Sequence, residues 1–369
     1  MRVDPVRPDY AGAWVGGLVP ALLGATPADW LPPPAAAARV VLLVLDGLGW
    51  TALADRRHAL PELGALQGGA ITAAAPTTTA AGLTSIATGF VPAEHGVVGY
   101  RMRVAGQVLN VLRWQVPKGG GKPPDPARVQ PVPPFLGKSV PVVTRAEFRD
   151  TGFTTAHLRD SRFVGWQTTS SLVEHVRRLV VAGGRFVYAY YDGLDKVAHA
   201  YGLASGFFDA ELAEVDRMIG LLLDRLPEDC ALVVTADHGQ VDVGPERMLS
   251  LAELAPLVQA YSGESRFRSL HARPGAADDL LDVARACFGE LAWLFSRDEL
   301  FDDGWLGEGG STEVRHRVGD VVLAAHAPVG FADPDQPKES ELVSQHGSLT
   351  PDEVFVPLLA AHGRGSARR

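Results

Sequence analysis

The sequence predicts an α/β fold: a mostly parallel central sheet flanked by helices on both faces, with a small α+β subdomain inserted before the final segment. Three observations carry this. Runs such as Arg39–Leu45 and Ala231–Ala236 are continuously apolar and rich in β-branched residues, as expected of strands covered on both faces. Such runs alternate with segments of helical periodicity. Acidic and imidazole residues recur where the runs stop, at Asp46, Asp195, Asp237 and His238. Open α/β sheets bind their ligands at that edge.

The elements follow in chain order. Residues 11–25 read as an amphipathic N-terminal helix, interrupted by Gly16, Gly17 and Pro20. Pro32-Pro33-Pro34 and four alanines form a linker into the first strand, Arg39–Leu45, which ends at the turn Asp46-Gly47-Leu48-Gly49. After Ala70–Pro76 comes Thr77-Thr78-Thr79, then a helix over Ala80–Thr88 stopped by Gly89. Any of the three threonines can cap that helix, whose first N–H groups are open to an anion. A strand over Arg185–Tyr191 leads into Asp192-Gly193-Leu194-Asp195 and on to His199. Leu212, Val215, Ile219, Leu222 and Leu223 give a helix over Ser205–Leu226 one apolar face. The strand Ala231–Ala236 then ends at Asp237-His238-Gly239.

From about residue 250 the pattern changes. Strands are expected over Arg266–Ala272, Leu291–Phe295 and Asp320–Ala325, and a helix over Ala276–Phe288. Residues 251–330 are therefore assigned to the inserted α+β subdomain, and 1–250 with 331–369 to the catalytic core. Val354–Leu359 returns to the main sheet.

Composition narrows the function. A net charge of −9 does not suit a nucleic-acid binder, which needs a basic face. A phosphate site in such a chain must supply its own positive charge, and bound metal ions do so. The two cysteines, Cys230 and Cys287, have no Cys-x-x-Cys partner and make neither a disulfide framework nor a metal site. The acidic start of the chain, with Asp4 and Asp9, is unlike a secretory leader, and no run of about 20 apolar residues exists to span a membrane. The expectation is a cytoplasmic enzyme of small molecules, without nucleic-acid or membrane partners.

The chemistry rests on the clustered carboxylates. Asp46, Asp195 and Asp237 at one sheet edge repel one another unless a cation pairs them. Mixed Asp/His donors fit zinc, with manganese or iron as competitors. Asp195 and His199, four residues apart, can face one ion from a helical turn, and Asp237-His238 can both turn inward where a strand curls at its end.

The order of the motifs is more specific than any one of them. Strand-Asp46-Gly47 is followed by Pro76-Thr77-Thr78-Thr79 with Thr88-Gly89, then Asp195-x-x-x-His199, strand-Asp237-His238-Gly239, and a late His346-Gly347 before Val356-Pro357-Leu358-Leu359. This succession resembles the alkaline phosphatase superfamily, and within it the type I phosphodiesterase/nucleotide pyrophosphatase family. The resemblance covers roughly residues 39–100, 185–245 and 343–359. It implies an alkaline-phosphatase-like core and two divalent metal ions. Asp46, Thr79, Asp237 and His238 would hold one ion, and Asp195, His199 and His346 the other. Thr79 would be the nucleophile, with Thr78 as the alternative, and would carry a phospho-threonine intermediate. His95 would play a supporting role. Where the family places an asparagine three residues after the nucleophile, this chain has Gly82. The implied activity is that of a phosphodiesterase or nucleotide pyrophosphatase. A phosphomonoesterase or phosphonate hydrolase of the same superfamily is the alternative, and a non-catalytic nucleotide-binding relative is the alternative of another class.

Overall fold

The computed structural model describes residues 4–24, 28–117 and 119–365. Its principal strands are β1 (Arg39–Leu45), β2 (Gln67–Thr72), β3 (Pro141–Arg145), β4 (Arg162–Trp166), β5 (Phe186–Tyr191), β6 (Cys230–Thr235), β7 (Val258–Gly263), β8 (Phe267–Ala272), β9 (Ala292–Ser296), β10 (Val321–Ala325) and β11 (Phe355–His362). Seven of them form the main sheet, in the order β2-β11-β6-β1-β5-β3-β4. The run from β6 through β1, β5 and β3 to β4 is parallel, whereas β11 is antiparallel to both its neighbours. This is the mostly parallel sheet expected from the apolar strands. β1, in the middle, is buried on both faces from Val40 to Leu45.

The helices that position the site are α1 (Leu18–Leu23), α2 (Thr79–Thr88), α3 (Gly152–Leu158), α4 (Thr169–Val181), α5 (Gly193–Tyr201), α6 (Gly206–Arg225) and α7 (Ala277–Phe288). In α6 the five expected apolar residues are buried, and Ser205 caps the helix by accepting the Phe208 N–H. Gly89 ends α2 in the left-handed conformation, φ 81°. Beyond residue 250, β7, β8, β10 and β9 form a four-stranded antiparallel sheet in that order, with α7 packed against it.

Several expectations were displaced. The N-terminal helix is shorter, because a 3-10 turn over Val15–Gly17 precedes it; a Cβ at Gly16 would stand 2.2 Å from the Trp14 ring. Ala25 and residues 366–369 lie outside the described residues. The proline-rich linker folds as a 3-10 turn over Pro33–Ala36. Residues 101–184, to which no element was assigned, contribute β3, β4, α3 and α4, and so one flank of the main sheet. β7 was also missed; its Gln259 is exposed and breaks the apolar run.

Candidate metal and phosphoryl-transfer site

Strand register brings the first carboxylates together. In β1, Leu45 pairs with Tyr191 of β5 and Val44 with Thr235 of β6. Asp46 and Asp237 therefore leave the sheet at the same level, on the carboxyl edge of the parallel strands. Asp195 does not end a strand; it sits in the first turn of α5, with His199 one turn on. β11 runs against its neighbours and so begins at this edge. The segment before it delivers His346, nine residues ahead of Phe355.

Three imidazoles are aimed by the backbone. Nδ1 of His238 lies 3.1 Å from the Gly239 carbonyl, Nδ1 of His199 2.7 Å from that of Ser344, and Nδ1 of His346 2.9 Å from that of Thr77. A carbonyl only accepts, so each Nδ1 carries a hydrogen and Nε2 is the ring nitrogen left to face a ligand. This is the tautomer of a metal-binding histidine held by a backbone acceptor. His238 Nε2 is 3.4 Å from Asp46 Oδ1, 3.7 Å from Asp237 Oδ2 and 3.1 Å from Thr79 Oγ1. The His238 and His346 rings stack at 3.8 Å, and His199 Nε2 is 3.3 Å from Asp195 Oδ1.

Two clusters of donor atoms result, Asp46 with Asp237 and His238, and Asp195 with His238 and His346; within each, the atoms lie within 4.8 Å of one another. His199 flanks the second through Asp195. Burial raises the carboxyl pKa of Asp46 well above its ordinary value, and the Asp237 and Asp195 charges add to the effect. Burial raises that of Asp237 as well, with His238 opposing and Asp195 adding. His346 is pushed well down by burial and by its neighbours His238 and His199. Asp46 Oδ1 and Asp237 Oδ2 are buried without a hydrogen-bond partner. Buried anionic oxygens left unpaired are costly. The donor set, three carboxylates and three imidazoles, fits divalent metal ions.

The three threonines have separate surroundings. Thr77 Oγ1 donates to the Ser348 carbonyl and accepts the Gly347 N–H, tying the nucleophile turn to the His346 segment. Thr78 occupies the cap position of α2 without a side-chain cap bond, its hydroxyl beside the buried Glu264. Thr79 opens α2 and faces His238. The first-turn N–H groups of α2 have no partner within the helix. His95 stands apart: its Nδ1 accepts the Val97 N–H, so its Nε2 donates to Ser85 Oγ, and burial lowers its pKa to about 3. A Cβ at Gly82 would lie 2.7 Å from the Asp237 carbonyl, so no side chain fits between α2 and that turn.

Sequence reading missed several neighbours. Tyr190, within β5, donates its hydroxyl to Asp46 Oδ2. Gln240 donates to Asp195 Oδ1 at 3.0 Å; its position one residue past Asp237-His238-Gly239 was the available signal. A cavity of about 200 Å³ opens beside Thr79 and Asp46, lined among others by Leu83, Phe148, Phe153, His157, Asp192 and Lys196. His157 lies in α3 and stacks on Phe153 with ring centroids 4.0 Å apart. Arg159 caps neighbouring carbonyls instead of lining the cavity.

The chain matches the model of the type I phosphodiesterase / nucleotide pyrophosphatase family over residues 40–171 and 159–349. Among solved structures it is similar to murine ectonucleotide pyrophosphatase / phosphodiesterase 5, with TM-score 0.67 and 16% identity, over 89% of this chain and 90% of that one. An inactive form of that murine protein in complex with AMP gives 0.65 and 16%, over 89% and 90%. Phosphonoacetate hydrolase from Sinorhizobium meliloti 1021, in complex with phosphonoformate, gives 0.61 and 17%, over 91% of each chain. No curated protein sequence matches. At these identities the structural likenesses speak for the fold alone.

Proposed function

We propose that this chain, which belongs to the type I phosphodiesterase / nucleotide pyrophosphatase family and is a hydrolase of phosphate-ester bonds, cleaves small-molecule phosphodiesters at a pair of divalent metal ions with Thr79 as nucleophile. One observation carries the reading. Three imidazoles fixed by backbone carbonyls turn their Nε2 atoms toward three carboxylates, two of which keep a buried oxygen with no partner. In this reading Asp46, Thr79, Asp237 and His238 would hold one ion and Asp195, His199 and His346 the other, with His238 standing between the two clusters. Zinc suits the set, with manganese or iron as alternatives. When bound, such ions neutralise phosphate charge and make a hydroxyl or water easier to deprotonate.

The residues of the chain do the rest. The Thr79 hydroxyl, placed 3.1 Å from His238 Nε2 among the donors of the first ion, gives up its proton to solvent and its oxygen attacks phosphorus. The P–O bond to one departing alcohol breaks, that oxygen takes a proton from solvent, and Thr79 is left carrying the phosphoryl group with its second ester group still attached. Water then attacks phosphorus, the bond to Thr79 Oγ breaks, a proton from that water restores the hydroxyl, and a phosphomonoester is released. First-turn N–H groups of α2 stand ready for a non-bridging oxygen.

Charge favours diesters over monoesters. A dianionic monoester asks for one more cation than a diester. Lys196, the one basic side chain lining the cavity among the described residues, is 2.7 Å from Asp192, and Arg145 lies 2.5 Å from the same carboxylate. The test compares bis(4-nitrophenyl) phosphate with 4-nitrophenyl phosphate, alongside metal content, for the wild type, Thr79→Ala and Thr78→Ala. The diester is expected to turn over faster. Thr79→Ala is expected to lose about 10³-fold or more in kcat with metal retained, and Thr78→Ala far less. Full activity in Thr79→Ala would remove Thr79 from its role, and a chain that takes up no divalent metal would end the two-ion reading.

A further inference from the structure

The cavity beside Thr79 is not shaped like a phosphate site. Leu83, Leu112, Phe148, Phe153 and Leu158 make its walls mainly apolar. Its volume, about 200 Å³, compares with roughly 150 Å³ for an apolar cavity that takes up benzene, so one substituted ring fits.

Polar side chains line it as well, among them Thr144, Thr151, Thr154 and Tyr188, and His157 adds an acceptor whose direction is fixed. The His157 ring is buried, and its Nδ1 lies 2.6 Å from the Phe153 carbonyl, so Nδ1 carries the hydrogen. Burial lowers the imidazole pKa to about 4, which keeps the ring neutral at physiological pH. Nε2 is then an acceptor only. No hydrogen bond to it is made by the described residues, although its ring lines the cavity. The stack on Phe153 fixes the ring plane, so the acceptor direction is set before any ligand enters.

We propose that this chamber binds one ester group of the substrate, an uncharged planar ring carrying an O–H or N–H donor, with His157 Nε2 as the acceptor that selects it. The proposal rests on the phosphodiesterase reading for the position of phosphorus, and on the chamber's own lining for the ring. Apolar walls favour the ring face. The fixed His157 acceptor rewards a donor on the ring edge. Anionic groups find no free cation, since Lys196 is held by Asp192.

The test uses three phosphodiesters that share a 4-nitrophenyl reporter and differ in the second ester group: methyl, phenyl and 3-hydroxyphenyl. With metal-loaded wild type, kcat/KM is expected to rise about tenfold from methyl to phenyl, and about fivefold more with the hydroxyl. His157→Leu should erase the hydroxyl increment and keep the phenyl preference; His157→Gln, which retains an acceptor, should restore part of the increment. Thr154→Trp, which fills the chamber, should erase the phenyl preference. Equal kcat/KM for all three esters, or a hydroxyl increment unchanged in His157→Leu, overturns the proposal. Calorimetric binding of resorcinol separates the two readings, because it needs no turnover. If no diester is cleaved yet resorcinol binds wild type at least fivefold more tightly than His157→Leu, the chamber stands and the phosphodiesterase reading falls. If resorcinol does not bind, or binds both equally, the chamber proposal falls.

Discussion

Asp237→Asn should reverse the sign of its effect on stability when metal is added. Asp46 and Asp237 belong to one cluster whose donor atoms lie within 4.8 Å of one another. At that separation, and an effective dielectric of about 20, two ionised carboxylates repel by roughly 3 kcal/mol. Without metal, part of this is relieved because one carboxyl keeps a proton, the direction in which both pKa values are pushed. The net strain that remains is on the order of 1–2 kcal/mol at pH 7. Asparagine removes the charge and keeps an oxygen able to accept the Gly47 and His238 N–H groups, 3.2 and 3.1 Å away. The chelated variant should therefore melt about 1–3 °C above chelated wild type. With zinc the order should invert, because the variant loses an anionic ligand and the stabilisation that metal binding gives the folded state. Scanning calorimetry with and without chelator measures both. A chelated variant less stable than chelated wild type would refute the idea that unpaired carboxylates strain the metal-free fold.

Three further outcomes are expected. Because Asp46 and Asp237 have raised pKa values in the metal-free fold, their contribution is most favourable below the ordinary carboxyl range and is lost as pH rises toward the raised values; chelated protein should gain stability on going from pH 7 to 5, whereas the metal-loaded form should lose it as ligands protonate, both read by urea denaturation. Tyr190→Phe removes the hydroxyl that donates to Asp46 Oδ2 and should weaken metal binding by about 10–100-fold, measured by competition with a chromogenic chelator. Glu353→Ala strands buried Arg266, whose Nε and second guanidinium nitrogen each lie 2.9 Å from a Glu353 oxygen, and should cost about 3–5 kcal/mol in equilibrium unfolding.

The core of the fold was legible because its strands are apolar on both faces. Arg39–Leu45, Arg185–Tyr191 and Ala231–Ala236 match β1, β5 and β6 within a residue. β3 and β4 were not legible. Their runs are five residues each, one opened by proline and the other carrying Gly165 near its middle, and β4 shows an intermediate surface over most of its length. The polar end points of the strands were readable as a group, but not their packing. Asp195 reaches the others from a helix turn and not from a strand. His346 arrives only because β11 is antiparallel, which local sequence does not announce. Tyr190 and His157 were invisible for a different reason: an aromatic residue in a strand or an imidazole in a short helix looks the same whether it fills the core or faces a cavity.

The same geometry limits what the proposed site can bind. Three aspartates and three neutral histidines leave two divalent ions with one excess positive charge. A phosphodiester carries one negative charge, so the complex would be neutral in a pocket where Asp46, Asp237 and His238 are almost wholly buried. A monoester dianion would leave a net negative charge there, against the cost of burying unpaired charge. Asp192 holds Arg145 and Lys196 away from that role. Replacing it by asparagine should free both cations and shift preference toward the monoester. Among the described residues the Asp192 carboxylate pairs only with these two side chains, so the change acts chiefly through charge. The ratio of kcat/KM for bis(4-nitrophenyl) phosphate to that for 4-nitrophenyl phosphate is expected to fall about tenfold in Asp192→Asn. A ratio unchanged from wild type would mean that charge balance does not set the preference for diesters.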